Sequence, residues 1–346
     1  MTRTPLGHAL DMDGGMDGQL RVELADLRGY ADQVGRGGEA CASVADYVAT
    51  FVPDGDFGRI LSLITPDYEH LVLRVRATLE ADSIRLASTR VGLRHVAKRY
   101  ARTDARVAQR FGAGAAVADD ESAGPTFRDV ETTAPPGPTC GGEVLPEVTF
   151  GWVADQACAL VSDLGGPDLR REITDWVAGD VGKASTQASV WEHSAASVAA
   201  VRRNLVHGAV AVAATWEGSA AEASRGHADA WAGALADQRD GLARVAAHLH
   251  DVIDQAIDVA QLVVDVVKEI ISIVLAGLTL ASVPIYGQVQ LVDKVRDAVR
   301  LANDARKVLT VFWNFLLVVK DSFLLAVDCF SAEALPPAPV PLAGVG

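Results

Sequence analysis

The fold is decided at Ala213-Ala214-Thr215-Trp216-Glu217-Gly218-Ser219-Ala220-Ala221, a break between two alanine-rich stretches. Apolar residues recur every three or four positions before it, over 181–212, and after it, over 249–274. Such spacing is typical of amphipathic helices. A tryptophan can pack across a helix crossing, and a glycine lets the backbone reverse direction. We therefore predict a helical hairpin whose turn is formed by Trp216 and Gly218.

The pattern around this turn extends over residues 148–332. Downstream, one helix is predicted from Ser219 to about Leu280, ahead of the break that Pro284 introduces. A last helix, from about Val289 to Val327, is expected to double back along it. This part of the chain therefore predicts a helical bundle with an apolar helical tip.

The preceding unit, residues 17–111, has a seven-residue repeat. Its apolar line is formed by Val72, Leu79, Leu86, Leu93, Tyr100 and Val107. A repeat of seven keeps one face of a helix against a neighbour. A second line at the same spacing is partly polar, since Asp82 and Thr89 interrupt it. We predict one long helix here that folds back, antiparallel, on an earlier helix beginning near Leu20.

Three segments lack any such period. Residues 112–147 are rich in glycine, proline, alanine, aspartate and threonine, and residues 333–346 are rich in proline. Residues 1–16 are polar and lack the basic and apolar regions of a Sec signal. Because these compositions bury too little apolar area to offset chain entropy, we expect disordered termini and a flexible linker. The prediction is an all-α protein, two long antiparallel helical hairpins or bundles joined by a Gly/Pro-rich linker.

Composition narrows the classes of function. The formal net charge of −14 disfavours binding to nucleic acids or to anionic lipid headgroups. Apolar residues make up 49% of the chain but aromatic residues only 6%, which favours helices packed through Ala, Val and Leu. Four cysteines are scattered without metal-ligand spacing, and either four free thiols or one disulfide formed after export fits this count.

The sequence shows no pattern of catalysis or of cofactor binding. The eight histidines are dispersed and never form HExxH, and the nucleophile pattern GxSxG is absent. Acidic pairs such as Glu80 and Asp82 occupy positions expected to be solvated, where a pKa would not shift. We therefore expect a protein that is not an enzyme, with no catalytic residue, no metal and no cofactor.

An apolar segment without charged residues runs from Ile270 to Tyr286. It has 17 residues, near the minimum for a helix that spans a bilayer, and it contains Pro284. Its candidate membrane or oligomer contacts are Ile270, Ile271, Ile273, Val274, Leu275, Leu278 and Leu280. A buried hairpin tip, an oligomer contact and insertion into a membrane are all compatible with this segment.

A short pattern on the predicted long helix is Tyr100-Ala101-Arg102-Thr103-Asp104. A tyrosine and an aspartate four positions apart share one helical face, so a single partner could contact both. Tyr100 also belongs to the seven-residue line, and an ordinary role in helix packing would explain it equally well.

These residues resemble a known superfamily. The turn from Trp216 to Gly218, opening an alanine-rich helix, resembles the W-x-G hairpin proteins exported by type VII (ESX) secretion. With Trp191, Trp231 and the long apolar continuation, residues 151–330 look like the N-terminal module of actinobacterial CpnT-like secreted toxins. Residues 20–111 resemble the EspC-like group of ESX secretion-associated proteins, which are hairpins without the tryptophan.

The resemblance also implies a secretion signal. In the wider family an exported hairpin carries Y-x-x-x-D or Y-x-x-x-E on its second helix, and Tyr100 and Asp104 match that pattern. Two features depart from the family. No such pattern follows Trp216, and the bundle is followed by a proline-rich tail where CpnT-like proteins continue into a toxin.

The implied function is that of a non-enzymatic type VII secretion substrate or secretion-associated protein, acting through helix–helix partner binding. Its expected partners are other helical-hairpin proteins of the W-x-G superfamily, the type VII secretion machinery and further copies of itself. It would be cytoplasmic before export, then secreted or associated with the cell envelope. Two alternatives remain open: a membrane-inserting or pore-forming protein using residues 270–286, and a cytoplasmic adaptor or chaperone for a separately encoded toxin.

Overall fold

Five long helices form the described part of the protein. The computed structural model describes residues 21–111, 127–139, 141–142, 144–146, 159, 162, 179–280 and 286–339. Within these ranges there is no strand, and β pairing is limited to two isolated bridges. The predicted all-α class is therefore confirmed. The expectations for residues 1–16 and 340–346, and for half of the predicted linker, lie outside the described residues.

The first two helices form an antiparallel pair. Helix α1 spans Leu24–Phe51 and helix α2 spans Thr65–Arg110, with 28 and 46 residues. Pro66 stands at the start of α2, where its fixed φ favours helix initiation. The two backbones approach closely at Gly38, where an added Cβ would lie 3.0 Å from the carbonyl oxygen of Ser83.

Three further helices follow. Helix α3 spans Val181–Ala213, α4 spans Ser219–Leu280 and α5 spans Tyr286–Val327, with 33, 62 and 42 residues. The side chain of Asp180 caps α3 by accepting a hydrogen bond from the amide of Lys183 (2.8 Å). At 1.5 Å per residue α4 is about 93 Å long, and it packs against both α3 and α5.

The two antiparallel helical pairs pack against each other, which the sequence did not predict. Helix α1 packs against α3 as well as α2, and α5 also contacts α2. One apolar core runs through all five helices. A periodic apolar line identifies one packed face of a helix, whereas α3 also buries polar side chains outside that line, including Ser194 and Asn204. The two pairs are joined where α1 packs against α3, with Val201 and Leu205 of α3 beside Gly37 of α1.

A buried hydrogen-bonded cluster connects α2 to α3 near the start of both helices. The indole N–H of Trp191 donates to the hydroxyl of Tyr68 (2.8 Å), which donates to Oε1 of Gln187 (2.6 Å). The side-chain Nε2 of Gln187 donates in turn to the backbone carbonyl of Asp54 (2.9 Å). Because each of these polar atoms has a partner, the cluster can be buried without cost from unsatisfied groups, and it holds α2 in register with α3.

Part of the predicted linker is held on the helices. The side chain of Asn204 accepts hydrogen bonds from two consecutive backbone amides (2.9 and 3.0 Å) and donates to the carbonyl of Glu131 (2.9 Å). Arg36 on α1 also pairs with Asp129 (2.9 Å). The expectation of a flexible linker therefore needs correction over 127–139. The composition argument weighed apolar burial alone, whereas side-chain hydrogen bonds to the backbone hold this segment.

The proline-rich tail is packed as far as it is described. Leu335 is 5% exposed, and Arg85 on α2 donates to its carbonyl oxygen (2.6 Å) and to that of Pro336 (3.3 Å). The expectation of a disordered tail needs correction over residues 333–339. Arg85 supplies donors to backbone carbonyls that have no partner in a helix or strand.

Candidate functional site

The Trp216 turn lies where the chain enters α1. The amide of Glu23 donates to the carbonyl of Thr215 (3.0 Å), and the amide of Glu217 donates to the carbonyl of Arg21 (2.8 Å). These two hydrogen bonds flank an isolated antiparallel bridge at Trp216. The segment that precedes α1 therefore holds the turn in place, in addition to the two helices that the turn connects.

Gly218 permits the chain reversal. Its φ is 105°, a conformation that is strained for any residue with a Cβ. Helix α4 begins at the next residue, and the amide of its Glu222 donates to the carbonyl of Gly218 (3.1 Å). Just before the turn, the hydroxyl of Thr215 donates to Oδ2 of Asp26 on α1 (2.8 Å). This geometry agrees with the turn that the sequence predicts.

Trp216 contacts the second sequence pattern. Its side chain is 2% exposed, and its indole N–H lies 3.4 Å from the hydroxyl oxygen of Tyr100 on α2. The two residues are 116 positions apart and were expected on different hairpins. Packing of the α1–α2 pair against the α3–α4 pair brings the turn and the Y-x-x-x-D pattern to one end of the bundle.

Tyr100 marks the point where α2 leaves the bundle. The seven-residue line is at most 7% exposed at Val72, Leu79, Leu86 and Leu93. Tyr100 is half-buried, and the next position in the line, Val107, is 47% exposed. Asp104 is exposed one turn beyond Tyr100. In the described part of the chain, the predicted line is therefore a packed seam as far as Tyr100 and an exposed face after it.

A small cavity adjoins Trp216. It has a volume of about 10 Å³ and is lined by Tyr30, Ala209, Val212, Ala213, Trp216, Ala221, Ser224 and Arg225. A space of this size holds about one water molecule. It has no room for a substrate or a cofactor, so recognition at this end of the bundle would use the outer surface.

Trp191 does not belong to this turn. It lies 25 positions before Trp216, about 37 Å away along a helix, in the cluster with Tyr68. Trp231 lies inside α4, where it is 2% exposed. Of the three tryptophans that the resemblance rests on, Trp216 is the one at the hairpin turn.

Sequence reasoning missed a buried polar pair inside the bundle. Asp82 on α2 is 0% exposed and accepts a hydrogen bond from Nε2 of Gln238 on α4 (3.2 Å). Within the described residues, the second carboxylate oxygen of Asp82 and Oε1 of Gln238 have no hydrogen-bond partner. Burial raises the pKa of Asp82 to about 7, and the hydrogen bond from Gln238 and the charge of Arg85 oppose this rise.

The expectation that Asp82 is solvated therefore needs correction. The signal was present in the sequence, because Asp82 and Thr89 both interrupt the second seven-residue line. A polar residue on a line of buried positions is either exposed or buried with a partner. The sequence alone does not place Gln238 opposite Asp82.

A second polar group, the half-buried ring of His227, lies beside Thr89. Nε2 of His227 on α4 accepts a hydrogen bond from the indole N–H of Trp231 (3.1 Å) and lies 3.0 Å from the hydroxyl oxygen of Thr89. The ring borders a cavity of about 10 Å³ together with Tyr30 of α1. Desolvation lowers the pKa of His227. Because Nε2 must be unprotonated to accept, the site suits the neutral ring.

The apolar segment that begins at Ile270 is packed where its side chains are described. Ile270 and Val274 are 1% and 0% exposed. Ile271 and Ile273 are half-buried against the core, and Leu275 is 40% exposed. The side chains that lie outside the described residues are those of Leu278 and Leu280.

Helix α5 is long and apolar enough to cross a membrane, and it is the one such helix among the described residues. A window within Arg296–Ala334 has a mean hydropathy of 1.7, and 28% of it is buried. Its uncovered side includes Val311, Val318 and Leu325, which are 67%, 64% and 64% exposed. In the described part of the chain, exposed apolar surface is thus more extensive on α5 than on 270–276.

The described ranges contain no group of three His, Cys, Asp or Glu side chains placed to hold a metal ion. Cys41 is a buried free thiol, and Cys329 is a free thiol that accepts a hydrogen bond from Arg244 (2.9 Å). Cys140 and Cys158 lie outside the described residues.

Comparison with protein-family models, with curated proteins and with solved structures finds no match to this chain.

Proposed function

We propose that this protein is a non-enzymatic substrate of type VII secretion, or an accessory to that export, recognised through a surface that includes Tyr100 and Asp104 and that the buried Trp216 supports from beneath. The observation that carries this proposal is the 3.4 Å contact between Trp216 and Tyr100. It places at one end of the bundle the two patterns through which the sequence resembles exported W-x-G hairpins. Each pattern alone is short enough to occur by chance in an unrelated sequence. The contact between the two patterns in the folded chain is a separate observation, which the shortness of either pattern does not weaken.

The arrangement favours recognition of the folded protein. In the small W-x-G proteins the turn and the signal share one hairpin, whereas here they are 116 positions apart in the chain. They meet through the packing of α1 and α2 against α3 and α4. A receptor that contacts both would therefore select molecules in which the bundle has formed.

The internal packing narrows the partners in this proposal. The apolar faces of α1 and α3, which a separate hairpin partner would otherwise cover, pack against each other. The chain thus supplies its own hairpin partner. The remaining partner at the Trp216 end is then a component of the secretion machinery.

Export from a type VII-competent actinobacterium tests this proposal. Tyr100→Ala and Asp104→Ala are each expected to lower the secreted fraction about tenfold, since losing about 1.4 kcal/mol of recognition has that effect. The matched control is Gln109→Ala, an exposed change on the same helix. A strain that lacks the secretion ATPase defines the background, and thermal melts verify that each variant is folded.

Unchanged secretion of both variants would remove the signal from Tyr100 and Asp104. Fractionation of the producing cell distinguishes an export substrate from a cytoplasmic adaptor or chaperone. A cytoplasmic adaptor or chaperone would stay in the cytosol in a stable complex with a toxin, whereas an export substrate accumulates in the medium or the envelope.

A second candidate function is insertion into a membrane through α5. The exposed positions Val311, Val318 and Leu325 lie seven apart, so they form one apolar face along this helix. In this second proposal α5 makes the contact with the membrane, because Ile270 and Val274 of the segment 270–286 are packed in the core.

Release of a dye from liposomes tests the membrane function. Val311→Glu with Val318→Glu is expected to abolish release, because two carboxylates on the contact face would have to leave water. Leu73→Glu with Ile84→Glu, at equally exposed positions of α2, is the matched control. Absence of release by the unchanged protein, or equal loss in the control, contradicts this function.

A further inference from the structure

We infer that the end of α2 that projects past the Trp216 turn, residues 98–111, docks onto an acidic and partly apolar face of a partner protein. The inference rests on the proposed function, because Tyr100 and Asp104 border the same surface. It goes further by assigning the chemistry of the partner.

The first observation is a concentration of positive charge on an acidic protein. Over residues 98–110 the chain has five cationic side chains and one carboxylate, a formal charge of +4 within a protein of −14. All five are exposed: Lys98, Arg99, Arg102, Arg106 and Arg110. In the described part of the chain, none of them forms an ion pair.

The preceding turns of the same helix differ. Arg94 and Arg90 both pair with Asp32 on α1, at 2.5 and 3.2 Å. The internal pairing of α2 with α1 thus ends at Arg94. Among the described residues, the cations beyond it face no carboxylate of this chain, and an acidic surface is their electrostatic complement.

The second observation is an uncovered apolar face on the same segment. At about 100° per residue, Val107 and Phe111 continue the line of Tyr100 along α2. They are 47% and 84% exposed. The segment is therefore amphipathic, with an apolar edge on one side and a row of basic side chains on the other. Such a segment suits an apolar groove with an acidic rim.

The position of Asp104 favours a protein over a lipid bilayer as the surface that this segment binds. It lies on the apolar edge between Tyr100 and Val107, where insertion into lipid would strip a carboxylate of water without replacing its hydrogen bonds. A protein groove can offer a donor at that point. The net charge of −14 also opposes approach to polyanionic surfaces such as nucleic acids or acidic lipid.

The helix dipole explains only part of this charge. A cation is stabilised by the helix dipole only within the last turn of the helix. This effect accounts for Arg110, but it contributes nothing at Lys98 or Arg102. The stepwise row that Lys98, Arg102 and Arg106 form therefore needs a different explanation, and contact with an acidic partner supplies one.

Binding of designed peptides to the full chain tests the inference. One probe is a 28-residue amphipathic helix with Leu at the seam positions and Glu at the flanking positions, and its twin has Lys in place of Glu. By fluorescence anisotropy the acidic peptide is expected to bind at least about tenfold more tightly than the basic one. Arg102→Glu with Arg106→Glu should weaken that binding about tenfold, as two reversed surface charges allow.

Control substitutions keep the test specific to this end of α2. Arg296→Glu with Arg300→Glu reverses two exposed cations on α5 and should change peptide affinity less than about twofold. Phe111→Ala should weaken binding if the apolar edge takes part, and it cannot unfold the bundle because Phe111 is 84% exposed. Equal affinity for both peptides, or equal loss in the α5 control, would overturn the inference.

Two further probes address the other anionic surfaces. Tighter binding of phosphatidylglycerol vesicles or of duplex DNA than of the acidic peptide, lost on reversal of Arg102 and Arg106, would also overturn the assignment to a protein. This assay uses purified protein and reads no export. A failed export assay with intact peptide binding would therefore reject the proposed function alone, and the converse would reject this inference alone.

Discussion

The indole N–H of Trp216 lies 3.4 Å from the hydroxyl oxygen of Tyr100, across the junction between the two halves of the bundle. Trp216 is 2% exposed and Tyr100 is half-buried, so the tryptophan is a structural anchor while the tyrosine reaches the surface. This difference in burial separates their expected effects on stability and on recognition.

Removing the hydroxyl of Tyr100 should cost little stability. We expect Tyr100→Phe to lower the free energy of unfolding by at most about 1 kcal/mol, the net value of one hydrogen bond. Trp216→Ala should cost about 3–5 kcal/mol, because it empties a buried aromatic site. Urea unfolding followed by circular dichroism measures both. A loss for Tyr100→Phe as large as that for Trp216→Ala would show that Tyr100 is primarily structural.

The turn should be sensitive to a methyl group at one position. Gly218→Ala forces an alanine to a φ of 105° and is expected to cost about 1–2 kcal/mol. Gly226→Ala on α4 is the matched control, since nothing lies within 4 Å of the added Cβ, and it should stabilise by about 0.5–1 kcal/mol. Thermal melts give both values, and equal signs for the two variants would contradict this account of the turn.

The buried carboxyl of Asp82 should make stability fall as pH rises. Its folded pKa of about 7 lies above the unfolded value of about 4, so the folded state binds more protons between these values. The free energy of unfolding therefore decreases from about pH 4 to pH 7 and then levels off, by on the order of 4 kcal/mol at most.

Asp82→Asn should remove this dependence. The amide keeps an acceptor for Gln238 and adds a donor near its unpartnered Oε1, so the variant is expected to be about 2–4 kcal/mol more stable at pH 8. Asp258→Asn, on the exposed side of α4, is the control. Urea unfolding at pH 5, 6, 7 and 8 measures the slopes, and an unchanged slope for Asp82→Asn would reject the buried charge as its cause.

His227 should act in the opposite direction. Its folded pKa is lowered by desolvation, so stability is complete above the unfolded pKa of about 6.5 and is lost as pH falls toward the folded value. His227→Gln keeps an acceptor for the indole of Trp231 and should abolish this loss. The comparison is His95→Gln, an exposed histidine of α2. Identical acid sensitivity in the unchanged protein and His227→Gln would contradict the prediction.

Residues 127–139 should depend on one asparagine. Asn204 is 3% exposed and makes three hydrogen bonds to this segment, so Asn204→Ala is expected to cost about 2–3 kcal/mol. Limited proteolysis should then cut within 127–139, which the unchanged protein should protect. Asn303→Ala, exposed on α5, should alter neither property. Protection that survives Asn204→Ala would show that other contacts hold the segment.

Helix bounds followed closely from the sequence. The helix predicted from Ser219 to about Leu280 has those ends, and the last helix begins three residues before the predicted start, at Tyr286. Periodicity succeeds here because it reports a property of one helix, the face that must leave water. Pro66 and Gly218 act equally locally, through φ values that residues of those types favour.

The candidate site could be predicted only in pieces. The sequence marked Trp216, Gly218, Tyr100 and Asp104 individually, and it held an interruption at Asp82 without showing what that residue faces. The segment 127–139 was misjudged because its stability comes from Asn204, which lies on an unrelated part of the chain. Contacts of this kind depend on which helices become neighbours.

By itself, then, the sequence determined an all-α chain, the extent of its long helices and the turn at Trp216. The tertiary structure decided that Trp216 meets Tyr100, that Asp82 is buried and that, among the described residues, nothing covers Val107 and Phe111 at the end of α2. The reason is that the apolar period of a helix specifies which of its faces is buried. Which other helix becomes its neighbour depends on how the surfaces of the two helices fit together. That fit is visible at Gly208 of α3, where an added Cβ would lie only 2.9 Å from the ring of Tyr30 on α1.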